Sequence, residues 1–431
     1  MKEHATFLGV NLETNKKLGY FIYNNEIYYN KYHAMLSERN STGASTFLNG
    51  QTIKWMFNEQ TFVSYPWHIE PEESLQELYR RRAQQLRDQY DYIRVEASGG
   101  GDSTTVIYSF LLNGIHLDEV VFRYPKKGDK NATSDAWDTT PENTLSEWDF
   151  AAKPLLHWIK TNFPATKVVV HDYTDQIENA EDESWVLRTK HFLQPGHAFK
   201  HTNFGIDDHK RDADKDLKIA IVYGVDKPRI CVKDGKFWIY FADFPAAFTD
   251  SNIGDYTNVT NELFYWSPDA CDLLCKQAHT VKKWFSMPQN YQFQRTLNWP
   301  NNDFANRTLY EHVIKSIIYP DYDCNTFQVA KPTNNVFNEM DYWFHQNCKN
   351  TKEYQVWQAG VNYILNNINE KYVIPVKGNK INIAWFMSPF YYIGECNIPS
   401  IGAVKQLDAL TAARNDQNKY VHCIQGRLAV Y

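Results

Sequence analysis

The sequence predicts an α/β protein built around a parallel sheet, and three observations predict it. Between residues 71 and 250, apolar runs of strand length alternate with amphipathic runs of helix length, the pattern of β–α–β crossovers. Three consecutive glycines, Gly99 to Gly101, stand where one of those apolar runs gives way to a helix. The flanks read differently: residues 1–70 as a β-rich accessory element, and residues 251–431 as an α+β domain that closes over substrate.

The elements follow in order. "LGYFIYNNEIYYNKY" has two aromatic and β-branched runs joined by Asn24-Asn25, a hairpin signal. "TIKWMF" and "TFVSYPW" read as a second strand pair. At Pro71 the pattern becomes helical, with Leu75, Leu78, Ala83 and Leu86 on one stripe. "YIRVEA" (92–97) is then a strand, and "DSTTVIYSFLLN" a helix ending at Asn113-Gly114. "DEVVFRY" (118–124) is a strand, followed by a long polar loop over 124–143 and a helix interrupted near Pro154. "TKVVVHDY" (166–173) is a strand, "DESWVLRTKHFL" a helix, and "LKIAIVYG" (217–224) a strand. "PRICVKDG" and "KFWIYFADF" pair across an Asp-Gly turn.

Beyond residue 250, "WSPDACDLLCKQAHTVKKWF" opens a helix with Ser267 as N-cap and Pro268 at the first position. "KEYQVWQAGVNYILNN" is another helix, "KYVIPVKGNKINIAWF" a hairpin around Gly378-Asn379, and "KYVHCIQGRLAVY" a final strand.

At 431 residues the chain is long enough for two or three structural units. It is 43% apolar, 22% charged and 15% aromatic, the profile of a folded chain rather than a disordered one. A net charge of −6 does not indicate a nucleic-acid binder. No apolar run reaches the roughly 20 residues of a membrane span, and the N-terminus shows no signal-peptide core. Seven scattered cysteines form no disulfide framework, so a reducing cytoplasm is the expected compartment.

The chemistry concentrates in "SGGGDSTT". Glycine after a strand and before a helix lets the backbone approach a ligand and present successive N–H groups. The helix N-terminus adds donors and partial positive charge, which favour an anion. Ser98, Ser103 and Thr104 add hydroxyls. Asp102 beside a polyphosphate would be repelled unless it faces a cation or an amine, which points to Mg²⁺. Gly224, Asp226 and Lys227 in "YGVDKPRI" fall at the end of a later strand, on the same expected sheet edge. In open α/β sheets ligands bind at that edge.

Ser98 to Ser103 resembles the S-G-G-x-D-S signature of the PP-loop ATP pyrophosphatases, with Gly101 at the variable position. The likeness covers roughly residues 75–250. That superfamily includes asparagine synthetase-type amidotransferases, argininosuccinate synthetase, tRNA-modifying enzymes and phosphoadenylylsulfate reductases. The N-terminal layout and "YNKYHAMLSERN" look like the phosphoadenylylsulfate reductase-like proteins of tailed phages, which would place the chain in a host cytoplasm. The resemblance implies a HUP-type parallel sheet (adenine nucleotide alpha hydrolase-like) with helices on both faces. It also implies ATP and Mg²⁺, with phosphates over Ser98, Gly99, Gly100, Gly101, Asp102 and Ser103 and adenine near Phe122, Arg123 and Tyr124. Lys227 would neutralise departing pyrophosphate, and Asp102 and Asp226 would hold the metal. The implied reaction cleaves ATP between the α- and β-phosphates, adenylates a substrate oxygen, and lets a nucleophile displace AMP.

Two alternatives stand beside it: an adenylylsulfate reductase, and a nucleotide-binding module without turnover. For the reductase, "YIGECNIPS" offers Glu395, Cys396 and Ile398 but lacks the Gly and His of the E-C-G-I-H motif. No cysteine stands at position 2 for a glutaminase, and no paired C-x-x-C serves sulfur transfer. Thr144 and Glu147 have capping-box spacing, with a catalytic role for Glu147 second. His197 and His201 read first as part of a solvated loop and second as phosphate or substrate ligands. Cys271, Cys275 and His279 recur every fourth residue on one helix face, as buried small residues first and metal ligands second.

Overall fold

The paired asparagines do what their sequence suggests. Asn24 and Asn25 adopt φ of 49° and 60°, the left-handed pair that a two-residue hairpin requires. They join β4 (Tyr20–Tyr23) to β5 (Glu26–Tyr28) in a four-stranded sheet with β1 (Glu3–His4) and β6 (Lys54–Met56). β2 (Thr6–Phe7) and β3 (Val10–Asn11) pair beside it. The computed structural model describes residues 1–7, 9–42, 53–124, 147–172, 216–243, 251–297, 313–322, 349–376, 380–398, 423–424 and 428–429.

One early expectation changes here. "TFVSYPW" is not a strand: Glu59–Ser64 is helix α2, which follows α1 (Lys31–Thr42). Its β-branched and aromatic residues mimic a strand, but helical geometry turns Phe62 into a cluster of rings, so packing overrides propensity. Phe62 lies 5.7 Å from Phe57, 5.6 Å from Trp67 and 4.8 Å from Phe241, and Phe241 lies 5.0 Å from Trp266. Residues from the N-terminal element, the middle of the chain and the segment beyond residue 250 thus share one core.

The parallel sheet comes from five runs: β7 (Tyr92–Ala97), β8 (Glu119–Tyr124), β9 (Lys167–Asp172), β10 (Ile219–Tyr223) and β13 (Val259–Leu263). Their order is β13-β10-β7-β8-β9, and every neighbouring pair is parallel. All five residues of β10 are buried, as expected for a central strand covered on both faces. The chain starts at β7, winds outward through β8 and β9, then returns to β10 on the other side of β7. The order therefore reverses between β7 and β10, the point where open α/β sheets leave a crevice. The fifth strand lies beyond residue 250, so the sheet extends past the boundary expected for the nucleotide-binding unit.

Helices flank this sheet. α3 (Leu75–Gln89) begins with a complete capping box, Ser74 with Glu77, and buries Leu78, Tyr79, Arg82, Ala83 and Leu86. α4 (Gly101–Leu111) packs on α3 and on β7. α5 (Lys153–Asn162) is preceded by a π-helical turn over Glu147–Ala152, the interruption that Pro154 foretells.

β11 (Arg229–Lys233) and β12 (Lys236–Tyr240) form the expected hairpin and extend onto β17 (Phe390–Glu395). α6 (Cys271–Phe285) follows a turn in which Ser267 Oγ accepts the Asp269 N–H. α7 (Lys352–Asn367) is capped by Thr351, and β14 (Val373–Val376) pairs with β15 (Lys380–Ile383). Within "KYVHCIQGRLAVY", where a single strand is expected, the described residues are Cys423–Ile424 and Leu428–Ala429, each a short strand. β18 (Cys423–Ile424) pairs with β16 (Trp385–Phe386), and β19 (Leu428–Ala429) pairs with β17, so the run is divided between two sheets. Among the described residues no helix is long and apolar enough to cross a membrane.

Candidate functional site

Tyr223 of β10 is in register with Glu96 of β7, so the two strands end side by side. The loops that leave them, Ser98–Gly100 and Gly224–Lys227, are therefore neighbours. Their closeness is enforced at Gly224, where an added Cβ would lie 2.8 Å from the carbonyl carbon and oxygen of Asp102 and 2.9 Å from Ser103 Cα. Gly99 has φ of +72°, and a Cβ there would meet Ala152 N at 2.8 Å. Only glycine fits either position without moving backbone.

The two serines of the motif fold the loop on itself. Ser103 Oγ accepts the Ser98 N–H at 3.1 Å and donates to Gly100 O at 3.2 Å, while Ser98 Oγ accepts the Gly100 N–H at 3.3 Å. The first helical bond of α4 runs from Thr104 N–H to Gly100 O, and no side chain caps Gly100. The N–H groups of Gly101, Asp102 and Ser103 thus form an uncapped first turn, the arrangement that receives an anion. Thr104 Oγ1 is buried without a hydrogen-bond partner among the described residues.

Asp102 stands at the centre of a charged cluster. Lys227 Nζ lies 3.1 and 3.3 Å from its two carboxylate oxygens and 3.0 Å from Asp226 Oδ1. Arg229 Nε is 3.7 Å from Asp226, and Lys315 Nζ is 3.7 Å from Asp102. Tyr319 Oη donates to Asp102 Oδ1, and Tyr265 Oη donates to the Asp102 carbonyl at 2.8 Å. Burial alone would raise the Asp102 carboxyl, but the ammonium groups of Lys227 and Lys315 and the Tyr319 hydroxyl outweigh it. They hold the carboxyl well below the usual range. Lys227 is braced from behind by the Trp266 indole, which donates to its carbonyl at 3.3 Å.

The structure brings Ser98, Gly99, Gly100, Gly101, Asp102, Ser103, Thr104, Gly224, Asp226 and Lys227 together. Phe122 and Arg123 lie on β8, next to β7, and are engaged there. Arg123 makes a two-pronged pair with Glu96 at 2.9 Å on both contacts, and the Phe122 ring lies 5.4 Å from Trp148. Thr144, His197 and His201 lie outside the described residues. Glu147 opens the π-helical turn.

Between Asp102 and Asp226, the two expected metal ligands, sits the Lys227 ammonium. Among the described residues no group of three or more His, Cys, Asp or Glu side chains is arranged to hold a metal ion. Cys275 Sγ points at the carbonyls of Trp67 and Ile69, and the His279 ring nitrogen is 2.9 Å from Trp67 O. That helix face holds a loop. Burial pushes the Cys271 and Cys275 thiols up to about 12, and raises the Cys396 thiol as well.

Tyr265, Lys315 and Tyr319 went unread in the sequence. Lys315 and Tyr319 are four apart, a spacing that places both on one helical face. Nothing local marks that face as meeting Asp102. A scan against protein-family models and a search of curated proteins found no match.

Proposed function

We propose that this chain is a PP-loop-type ATP pyrophosphatase that cleaves ATP between the α- and β-phosphates and transfers AMP to a substrate oxygen. One observation carries the reading: the uncapped first turn of α4 and the Lys227 ammonium meet at the point where the strand order reverses. The triphosphate would lie on the amides of Gly101, Asp102 and Ser103, with Lys227 turning from the carboxylates toward the β-phosphate. The substrate oxygen attacks the α-phosphorus, and the bond to the bridging oxygen breaks. Pyrophosphate leaves with the electron pair, its growing charge met by Lys227 and the helix terminus. A second nucleophile then displaces AMP.

Magnesium enters this reading only on the nucleotide's own phosphates. Asp102 and Asp226 share a lysine and fit a protein-held metal poorly, so no step is routed through one. The HUP-type fold belongs to the same proposal, supported by the β13-β10-β7-β8-β9 order. A reducing cytoplasm suits the free thiols of Cys231, Cys271, Cys275 and Cys396.

The test is product analysis with ATP labelled at the α- or γ-phosphate, in the presence of Mg²⁺ and a metabolite extract. AMP and pyrophosphate are expected, together with exchange of labelled pyrophosphate into ATP. Release of ADP and phosphate alone would overturn the reading. Tight binding without any cleavage would assign the chain to nucleotide-binding modules instead.

A further inference from the structure

Two tyrosines hold Asp102 by different handles. The Tyr265 hydroxyl donates to the Asp102 carbonyl at 2.8 Å and fixes the backbone of the first α4 turn. The Tyr319 hydroxyl donates to Oδ1 of the carboxylate, the oxygen that also lies 3.1 Å from the Lys227 ammonium. A phenol is a neutral donor, so Tyr319 supplies direction rather than charge: it fixes where the carboxylate points. Lys315 Nζ, at 3.7 Å from Oδ2, lies beyond hydrogen-bond distance and sets no such direction.

Tyr319 reaches Asp102 on a docked element, although it stands 217 positions away in the chain. Residues 313–318 are helical, and Ile314, Ile318 and Tyr319 are buried. The Ile318 carbonyl accepts the Tyr79 hydroxyl at 2.9 Å, and that hydroxyl accepts from Gln277 at 2.7 Å. The Tyr319 ring stacks on Tyr265 at 5.8 Å and meets Tyr79 edge-on at 6.4 Å. α3, the turn after β13 and α6 thus all help fix this ring, and a hydroxyl on a fixed ring holds its partner in one place.

We propose that Tyr319 is a positioning residue for α–β cleavage, acting through Asp102 on Lys227. Lys227 must turn from Asp102 toward the β-phosphate, and a carboxylate that turned with it would bring negative charge toward the phosphates. Tyr319 holds Oδ1 back, so the ammonium parts from Asp102 and meets the departing pyrophosphate. The hydroxyl itself does not touch substrate. The inference rests on the proposed ATP cleavage and deepens it with a group that the Ser98–Ser103 motif does not contain.

A double-mutant cycle on the full chain tests it, with Mg²⁺, ATP and a metabolite extract. The proteins are wild type, Tyr319→Phe, Lys227→Met and the double variant, with thermal unfolding recorded for each. Phenylalanine removes the hydroxyl and keeps the stacked ring. Tyr319→Phe should lower kcat about tenfold or more and leave KM for ATP within about twofold, because the α4 amides still bind the phosphates. In the Lys227→Met background the same change should have no further effect, since the group it acts through is gone. Equal kcat in wild type and Tyr319→Phe would overturn the proposal. So would independent losses that multiply in the double variant, or a Tyr319→Phe protein that no longer unfolds cooperatively, since the hydroxyl would then serve the fold. If wild type itself releases no AMP and pyrophosphate, the cleavage reading fails, and this inference with it.

Discussion

The Lys227 ammonium lies 3.1 Å from Asp102 and 3.0 Å from Asp226, joining the first turn of α4 to the loop after β10. The lysine side chain is 8% exposed and the aspartates 22% and 16%, so water screens the cluster only partly. Lys227→Met removes the main counter-charge of Asp102 and leaves Lys315 at a longer distance. Breaking a largely buried pair costs about 3 kcal/mol, to be read by denaturant unfolding. If Lys227 meets the leaving pyrophosphate, the same change should lower α–β cleavage by about a hundredfold or more. A variant with normal stability and normal cleavage would remove Lys227 from both roles.

Gly224→Ala tests whether the two loops must touch. Its new methyl group would press on the backbone of Asp102 and Ser103, which cannot swing aside as a flexible side chain would. Overpacking of this kind costs about 1–3 kcal/mol, and here it also displaces the α4 terminus. Gly99→Ala adds left-handed strain to a clash with Ala152. Both variants should lose nucleotide affinity in calorimetry while keeping a native circular dichroism spectrum. Unchanged affinity in both would mean that the close approach serves packing alone.

Acid sensitivity has a separate source in the N-terminal element. Burial holds the His33 imidazole down at about 4, with His4 at 5.2 Å adding to the effect. Its Nδ1 is buried without a hydrogen-bond partner among the described residues, and its ring stacks on Phe7 at 4.5 Å and meets Tyr28 edge-on at 5.1 Å. The unfolded chain takes up this proton near pH 6.5 and the folded chain only near 4, so between those values the unfolded state binds more protons. Stability is therefore fully present above pH 6.5 and declines as pH falls toward 4. His33→Phe should flatten that part of a stability–pH curve measured in urea. A variant curve parallel to wild type would place the sensitivity elsewhere.

How much of this was legible in the sequence depended on the range of each signal. β7 was read at its observed bounds because Tyr92–Ala97 is a strand-length run followed by Ser98 and three glycines, and the Asn24-Asn25 turn followed from backbone conformation alone. The turn over Ser98–Ser103 was legible as a strand-to-helix junction because its residues are contiguous. Helix α2 was misread because the burial of Phe62 against Phe241 depends on a residue far along the chain. The Asp102 environment was least accessible: Tyr319 stands 217 positions after it, and only the folded chain shows that they meet. The sharing of Lys227 between two carboxylates was hidden for the same reason, since spacing cannot report which charges pair.

Cys396 separates the adenylating reading from the reductase one. A cysteine that forms a covalent sulfur adduct must attack as thiolate, and such thiols sit in electropositive, accessible surroundings with lowered pKa. Burial raises the Cys396 thiol instead, and its backbone N–H is tied to Gly235 O at 2.8 Å beside the β11–β12 turn. Native protein at neutral pH should therefore react slowly with iodoacetamide at Cys396, and Cys396→Ser should keep full α–β cleavage. Rapid alkylation at this position, with loss of activity toward an adenylylsulfate in Cys396→Ser, would reverse the assignment and make the chain a reductase.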